Sequence, residues 1–174
     1  MFRLTASPRL TEFESKVLLH LDAAYNLARF LMRNDQDAED VVQQAALRAF
    51  RFFDNFRGGN SRAWFLQIVR NTSFTALKER RPEEMNTAFD EEIHGSQVQV
   101  SHAGASLDLA HDRQTVRNAI EQLPPEFRET ITLREIEGLP YKEIADIAGV
   151  PIGTIMSRLA RGRRQLQSIL SKTR

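Results

Sequence analysis

A stretch of thirty residues without a cation divides this chain into three parts. Positions 83–112 carry seven carboxylates and no lysine or arginine, and Ser, Gly, Gln and Asn are scattered among them without clear helical periodicity. The flanking segments, 1–82 and 113–174, each have a net charge of +4, so the overall charge of +1 conceals a strong segregation. Because a polar segment of like charge has little apolar surface to bury, the pattern predicts two domains joined by an acidic linker. A solvated loop within a single domain is the alternative.

The first basic segment has the periodicity of three helices. Thr11 and Glu14 are spaced as a capping box at the start of the first helix. The apolar stripe of that helix is predicted to be Val17, Leu21, Ala24, Leu27, Ala28 and Leu31. The stretch from Asn34 to Asp37 breaks the pattern and can cap a second helix, whose predicted stripe is Val42, Ala46, Ala49 or Phe50, and Phe53. After a turn that contains two glycines, Ser61 is the predicted cap of a third helix that runs to about Arg81.

The second basic segment is also helical by its periodicity. Asp112 is the predicted cap of a helix that runs through Gln122, and a pair of prolines then opens another helix, which Gly138 ends. Pro140 is expected at the first position of the next helix, where the missing amide hydrogen has no intrahelical partner to lose. No segment alternates apolar and polar residues as a strand does. The predicted fold class is therefore all-α.

Residues 141–160, YKEIADIAGVPIGTIMSRLA, have the outline of a helix-turn-helix reader of DNA. The small Ala145 stands where the two helices would cross, and Gly149 can supply the left-handed backbone that ends the first helix. The second helix then has an apolar face made by Ile155, Leu159, Gly162, Leu166 and Ile169. Its opposite face holds the predicted DNA contacts Thr154, Ser157, Arg158, Arg161 and Arg164, and Lys142 on the preceding helix is a weaker candidate. An ordinary solvated face is the alternative, but such a face interleaves both signs of charge, whereas residues 158–174 contain no acid.

Aromatic residues are concentrated in the first basic segment. Seven of the fourteen in the chain fall between positions 50 and 74, among several arginines. Aromatic faces and cations together are what a binding site for single-stranded nucleic acid requires. Packing in a core is the commoner reason for Phe50, Phe53, Trp64 and Phe65 at their spacings, whereas Phe52 falls off the apolar stripe.

The composition excludes several classes of protein. There is no cysteine, which excludes disulfides, thiol catalysis and cysteine-ligated zinc. No apolar run approaches 18 residues, and no basic region followed by an apolar one opens the chain, so neither a membrane span nor a secretory signal is predicted. The four histidines have no metal-ligand spacing, and no catalytic constellation is visible. We therefore expect a cytoplasmic protein that is not an enzyme and uses no metal or cofactor.

Two segments together carry a resemblance to a known family. They are DAEDVVQQAALRAFRFFDNFRGGNSRAWFLQIVRN (37–71) and LPPEFRETITLREIEGLPYKEIADIAGVPIGTIMSRLARGRRQL (123–166). In this order, with an acidic linker between them, they resemble the extracytoplasmic-function sigma factors of bacteria. The resemblance implies a region 2 domain over 12–82, a flexible linker over 83–112 and a region 4 domain over 113–171. It also implies an initiation factor that binds core RNA polymerase, recognises the −35 and −10 promoter elements and promotes DNA melting.

The resemblance further implies roles for individual residues. The helix that begins near Asp37 resembles the one that docks on a coiled coil of the polymerase β′ subunit, with Asp37, Asp40, Gln43 and Gln44 as the contacts. The turn and helix that follow resemble the segment that captures a flipped base and melts the −10 element, with Asn60, Arg62, Arg70, Asn71, Lys78 and Arg81 as its candidate DNA contacts. Region 4 resembles the domain that binds the −35 element and touches the polymerase β flap. An anti-sigma factor is an expected partner.

The alternative from the same residues is a stand-alone transcriptional regulator. Such a protein would bind duplex operators as a dimer and without polymerase. It would leave the aromatic and basic N-terminal segment unexplained.

Overall fold

The computed structural model describes residues 7–80 and 108–173, and within these ranges every regular element is helical. The predicted all-α fold class is confirmed. The described residues form two helical units, one from each side of the acidic segment. Most of the predicted linker, together with Arg81, lies outside the described residues.

The first unit, residues 7–80, is a bundle of helices. Its elements are α1 (Pro8–Lys16), a 3₁₀ turn (Leu18–His20), α2 (Leu21–Met32), α3 (Asp35–Arg51), a second 3₁₀ turn (Phe53–Asn55) and α4 (Ser61–Arg80). Helices α2, α3 and α4 pack against one another. The ring of Phe13 on α1 makes edge contacts with Phe50 and Phe53, at centroid distances of 5.1 and 5.3 Å, and so attaches α1 to the end of α3.

The second unit, residues 108–173, carries the helix-turn-helix. Its elements are α5 (Asp108–Glu121), α6 (Pro125–Ile131), a π-helical turn that continues α6 (Thr132–Ile136), α7 (Tyr141–Ala148) and α8 (Ile152–Lys172). Helices α6 and α7 both pack on α8. Helix α5 begins at Asp108, four residues before the predicted cap Asp112, so the second unit extends into the predicted linker.

Three predictions about α1, α2 and α3 in the first unit are wrong. Helix α1 begins at Pro8, so Thr11 lies inside it and forms no capping box. The 3₁₀ turn before α2 interrupts the helical path, and Leu21 is consequently exposed although the rest of its stripe is buried. The buried face of α3 consists of Ala38, Val41, Ala45 and Ala49. The predicted Val42 and Ala46 lie at the edge of this buried face. Apolar residues stand at adjacent positions in α3, so the sequence pattern fits a buried face that contains Val42 and Ala46 as well as one that contains Val41 and Ala45.

Side-chain caps fix the starts of α3 and α4. Asn34 Oδ1 accepts a hydrogen bond from the backbone amide of Asp37 at 2.7 Å, so Asn34 is the cap within the predicted stretch 34–37. At α4 the cap is Asn60, whose Oδ1 accepts from the amide of Ala63 at 2.9 Å, and not the predicted Ser61. Pro140 likewise precedes α7 as its N-cap residue and is not the first residue of that helix.

The junction of α7 and α8 has the predicted geometry. Gly149 ends α7 with a φ of 68°, a left-handed conformation that glycine adopts without steric cost. Ala145 is buried where the helices approach, and Ile155 is fully buried between them. This arrangement holds the first turns of α8 at the surface of the second unit.

The two units are packed on each other. Helix α4 lies against α7, and α2 lies against α5, α6 and the π-helical turn. Their buried apolar residues form one contiguous cluster, to which Leu31 on α2 and Ile131 on α6 both belong. The periodicity of either segment contains no sign of this contact, because a helix face that covers another domain has the same pattern as one that covers its own core.

Candidate nucleic-acid and polymerase interfaces

The two faces of α8 differ in burial as the sequence predicts. Ile155, Leu159 and Gly162 are buried against the rest of the second unit. A β carbon at Gly162 would stand 3.2 Å from Ile131 Cγ1, so glycine permits the close approach of α8 to α6. The outward face carries candidate DNA contacts that are exposed: Ser157, Arg161 and Arg164, with Lys142 exposed on α7 and Thr154 partly buried.

Two arginines of α8 are held by carboxylates. Arg163 donates from Nη2 to Glu135 Oε1 at 2.6 Å, within the second unit. Arg158, a predicted DNA contact, points towards α6 of the same unit, and its Nη1 lies 3.8 Å from Glu129 Oε2. Only 21% of the Arg158 side chain is exposed. In this arrangement its guanidinium is turned away from the outward face that holds Arg161.

Glu129 joins the two units. Its side chain is completely buried, and Oε1 accepts a hydrogen bond from Arg70 Nε of the first unit at 2.7 Å. Burial raises the pKa of Glu129 above its ordinary value, although Arg70 and Arg158 both act to lower it. Glu129 is not among the functional residues that the sequence pattern predicts. Its burial could have been inferred from spacing, because Glu129 stands four residues after Pro125 and four before Leu133, and both of these residues are buried.

The predicted contacts to the −10 element lie along α4 and the turn before it. Arg70 also stacks its guanidinium on the ring of Phe74, at 4.3 Å from the centroid. Arg62 Nε donates to Glu143 Oε1 of the second unit at 3.2 Å. Asn71 and Lys78 are exposed, and the exposed Asn60 serves as the helix cap. Phe52, which the sequence pattern leaves without a packing role, is 47% exposed.

The predicted polymerase contacts lie on α3. Gln43 and Gln44 are exposed, and Asp40 is partly exposed. Asp37 forms a short hydrogen bond with Arg80 of α4. The exposed Leu47 lies one turn beyond Gln43 and Gln44, so α3 presents an apolar side chain beside these polar ones, which the sequence analysis missed. The sequence does contain a sign of this position. Leu47 stands four residues after Gln43 and three after Gln44, spacings that place side chains on the same face of a helix.

Other kinds of site are not found in the described part of the chain. Within residues 7–80 and 108–173, His, Cys, Asp and Glu form no group that could hold a metal ion. No helix in these ranges is long and apolar enough to cross a bilayer.

Comparison with known proteins identifies both units. Residues 17–83 match the family described as Sigma-70 region 2, and residues 113–166 match that described as Sigma-70, region 4. The chain is 33% identical over 165 residues to the RNA polymerase sigma-H factor of Pseudomonas aeruginosa, covering 91% of this chain and 86% of that protein. It is 34% identical over 171 residues to the ECF RNA polymerase sigma factor SigE of Mycolicibacterium smegmatis, covering 94% of this chain and 63% of that protein. The chain thus spans less than two thirds of the length of the mycobacterial relative.

Two solved structures are similar over both units. One is the sigma factor RpoE in complex with the anti-sigma factor NepR from Bartonella quintana, with a TM-score of 0.71, 32% identity, and coverage of 94% of this chain and 99% of that one. The other is CnrH in complex with the cytosolic domain of CnrY, with a TM-score of 0.65, 25% identity, and coverage of 94% and 90%. Both family matches are to regions of sigma-70 factors, and the relatives, which are identical to this chain at about a third of the aligned residues, are also sigma factors. The chain therefore belongs to the extracytoplasmic-function sigma factors of the sigma-70 family.

Proposed function

We propose that this chain binds core RNA polymerase and directs it to promoters by recognising −35 and −10 elements and promoting melting of the DNA. The observation that carries the proposal is the presence of sigma-70 region 2 and region 4 in one chain. Sigma factors are not themselves enzymes, and a stand-alone regulator would have no use for region 2. We assign region 2 to residues 12–82, the linker to 83–112 and region 4 to 113–171, and we place the protein in the cytoplasm, where the polymerase acts.

Region 4 contacts the −35 element through the outward face of α8. The residues assigned to this contact are Thr154, Ser157, Arg161 and Arg164, with Lys142 on α7. Arg158 is also assigned to it, although its guanidinium has to turn away from Glu129 to reach DNA. Support comes from the exposure of Arg161 and Arg164 on the face opposite the buried Ile155 and Leu159. Arginines on an exposed recognition helix can form hydrogen bonds with guanine edges or with phosphates.

Region 2 contacts the −10 element through α4 and the turn before it. The residues assigned to this contact are Asn60, Arg62, Arg70, Asn71, Lys78 and Arg81. Aromatic rings lie close by, since Phe56 and Trp64 are in contact with a centroid distance of 5.1 Å. Extruding a base costs a few kcal/mol of unstacking, and a surface with rings and cations can offset that cost.

Polymerase binds region 2 through α3. The residues assigned to the β′ coiled coil are Asp37, Asp40, Gln43 and Gln44, and region 4 touches the β flap. With both domains on one polymerase, the second promoter contact becomes intramolecular, which raises its effective concentration. The 25 linker residues that precede α5, 83–107, would span about 80 Å if fully extended at roughly 3.3 Å per residue, enough to join two promoter elements.

An anti-sigma factor is the further partner that we propose. One similar solved structure is a sigma factor bound to the anti-sigma factor NepR, and the other is CnrH bound to the cytosolic domain of CnrY. Their likeness to this chain extends over both units, so a comparable partner has a comparable surface to bind.

Run-off transcription from a library of genomic fragments tests the main proposal. Purified core polymerase with this chain should produce discrete transcripts that core polymerase alone does not. Footprinting of those promoters should show protection of both elements only when polymerase is present. Protection by the chain alone, without transcripts, would instead establish a stand-alone regulator.

Two variants of α8 provide a matched pair for the DNA assignment. Arg161→Ala should weaken promoter binding by about 1–3 kcal/mol if the side chain meets a base edge. Arg163→Ala removes the same charge from the same helix, but Arg163 is bonded to Glu135, so it should have a much smaller effect. Equal losses in the two variants would show that only net charge matters.

A further inference from the structure

The first turns of α8 expose apolar side chains. Ile152 and Met156 stand four residues apart and are 44% and 54% exposed, and the exposed Ala160 stands four residues further on. Residues at this spacing lie one above the other on a helix, so the three form a single row at the surface, which we call the apolar row. It is separate from the buried face of the same helix, to which Ile155 and Leu159 belong.

Exposed cations are absent from these turns of α8. The only charged residue within positions 152–160 is Arg158, whose Nη1 lies 3.8 Å from Glu129 Oε2 and whose side chain is 21% exposed. Exposed arginines begin at Arg161. In a helix-turn-helix, the residues that contact base edges are those at the N-terminal end of the second helix. The part of α8 that would lie deepest in the groove therefore presents mainly apolar and small side chains.

Small residues beside the apolar row allow the backbone of α8 to approach DNA closely. Gly153 and Ser157 are both exposed, and a β carbon at Gly153 would meet nothing within 4 Å. Met156 is the longest exposed side chain in these turns. Methionine is unbranched and flexible, so it can fit its thioether end against an apolar group on the surface that it meets.

Thymine offers the only apolar group on the base edges of the major groove, its C5-methyl. The other edges present hydrogen-bond donors and acceptors, which lose water opposite an apolar side chain without gaining a partner. An exposed methionine at the floor of the groove thus favours an A·T pair, in either orientation, over a G·C pair. Charge supports DNA as the occupant of this surface, because residues 158–174 contain six cations and no acid.

We propose that Met156 recognises the C5-methyl group of thymine in the −35 element, with Ile152 and Ala160 covering the same A·T pair or its neighbour. The inference rests on the proposed function for the placement of α8 in the groove, and it adds the base that α8 selects. It requires at least one A·T pair in the −35 element of the promoters that this chain uses. An element composed of G·C pairs alone would overturn it.

Deoxyuridine tests the contact because it differs from thymidine only in lacking the C5-methyl group. The full chain bound to core polymerase is titrated with promoter fragments in which each thymine of the −35 element, on either strand, is replaced in turn. For the parent, at least one replacement should weaken binding about fourfold, the factor that corresponds to burial of one methyl-sized apolar group. In Met156→Ala the same replacement should leave the affinity unchanged.

Two variants serve as matched controls. Met156→Leu keeps an apolar side chain of similar volume and should retain the preference for thymine over uracil. Val116→Ala shortens an exposed apolar side chain on α5 of the same unit and should also retain it. Since each protein is compared on two fragments, a general change in affinity cancels, and only the contact with the methyl group affects the ratio.

The possible failures of this test differ from one another. Equal affinity of the parent for thymine and uracil at every position of the element would overturn the inference and leave the proposed function in place. Full discrimination in Met156→Ala would also overturn it, because another side chain would then contact the methyl group. Loss of polymerase capture in Met156→Ala with unchanged discrimination would overturn it by assigning the apolar row to the polymerase. Absence of any transcript with the parent would refute the proposed function, and the inference with it.

Discussion

Replacing Gly162 by valine should loosen the recognition helix from the second unit. An added β carbon would stand 3.2 Å from Ile131 Cγ1 and 3.4 Å from Phe127 Cβ, and Ile131 is itself buried and has little room to move. Valine places two more methyl groups in the same gap, and overpacking of this kind costs about 1–3 kcal/mol. The higher helix propensity of valine returns about 0.4 kcal/mol. The net loss in the free energy of unfolding should be about 0.6–2.6 kcal/mol by these two effects.

Urea denaturation with two probes measures this loss. Circular dichroism reports all the helices, whereas fluorescence of Trp64, the one tryptophan in the chain, reports the first unit. A shift in circular dichroism alone would mean that the units unfold separately, and an equal shift in both would mean that they unfold together. Gly153→Ala is the control, since a β carbon there meets nothing within 4 Å, and it should stabilise the same helix by up to about 1 kcal/mol. An unchanged midpoint for Gly162→Val would refute the packing argument.

Three further predictions concern the first unit. Asn60→Ala should destabilise it by about 1 kcal/mol, because the start of α4 loses its side-chain cap; a Trp64 unfolding midpoint equal to that of the parent would contradict this. Asp40→Arg should abolish capture of core polymerase in a pull-down while leaving the helical content intact. The control is Asp22→Arg, which reverses the charge of an exposed carboxylate on α2 and should still bind. Burial and the nearby Arg62 lower the pKa of His20 below its ordinary 6.5, so the folded state binds fewer protons there than the unfolded state. The contribution of neutral His20 to stability is complete above pH 6.5 and is lost as the pH falls towards the lowered pKa. His20→Gln should therefore lose less stability than the parent between neutral and mildly acidic pH. Equal slopes of the urea midpoint against pH in the two proteins would contradict the assignment.

The helical class and the helix-turn-helix could be predicted from the amino-acid sequence alone. These features depend on residues near one another in the chain. Gly149 ends α7 because its backbone alone accepts a left-handed φ easily, and Ala145 and Ile155 take their places from the spacing of a single helical hairpin. The outward position of Arg161 and Arg164 follows from the same 3.6-residue period.

Only the tertiary structure decided how the two units meet and which arginines remain free. Arg70 and Glu129 are 59 positions apart, and no local rule pairs them. Arg158 lies on the predicted helix, yet its guanidinium turns towards Glu129, a carboxylate that is buried where α6 meets Arg70 of the first unit. Helical periodicity records which face of a helix is covered and not what covers it. The accessibility of the candidate DNA contacts was therefore set by packing between residues that are distant in sequence.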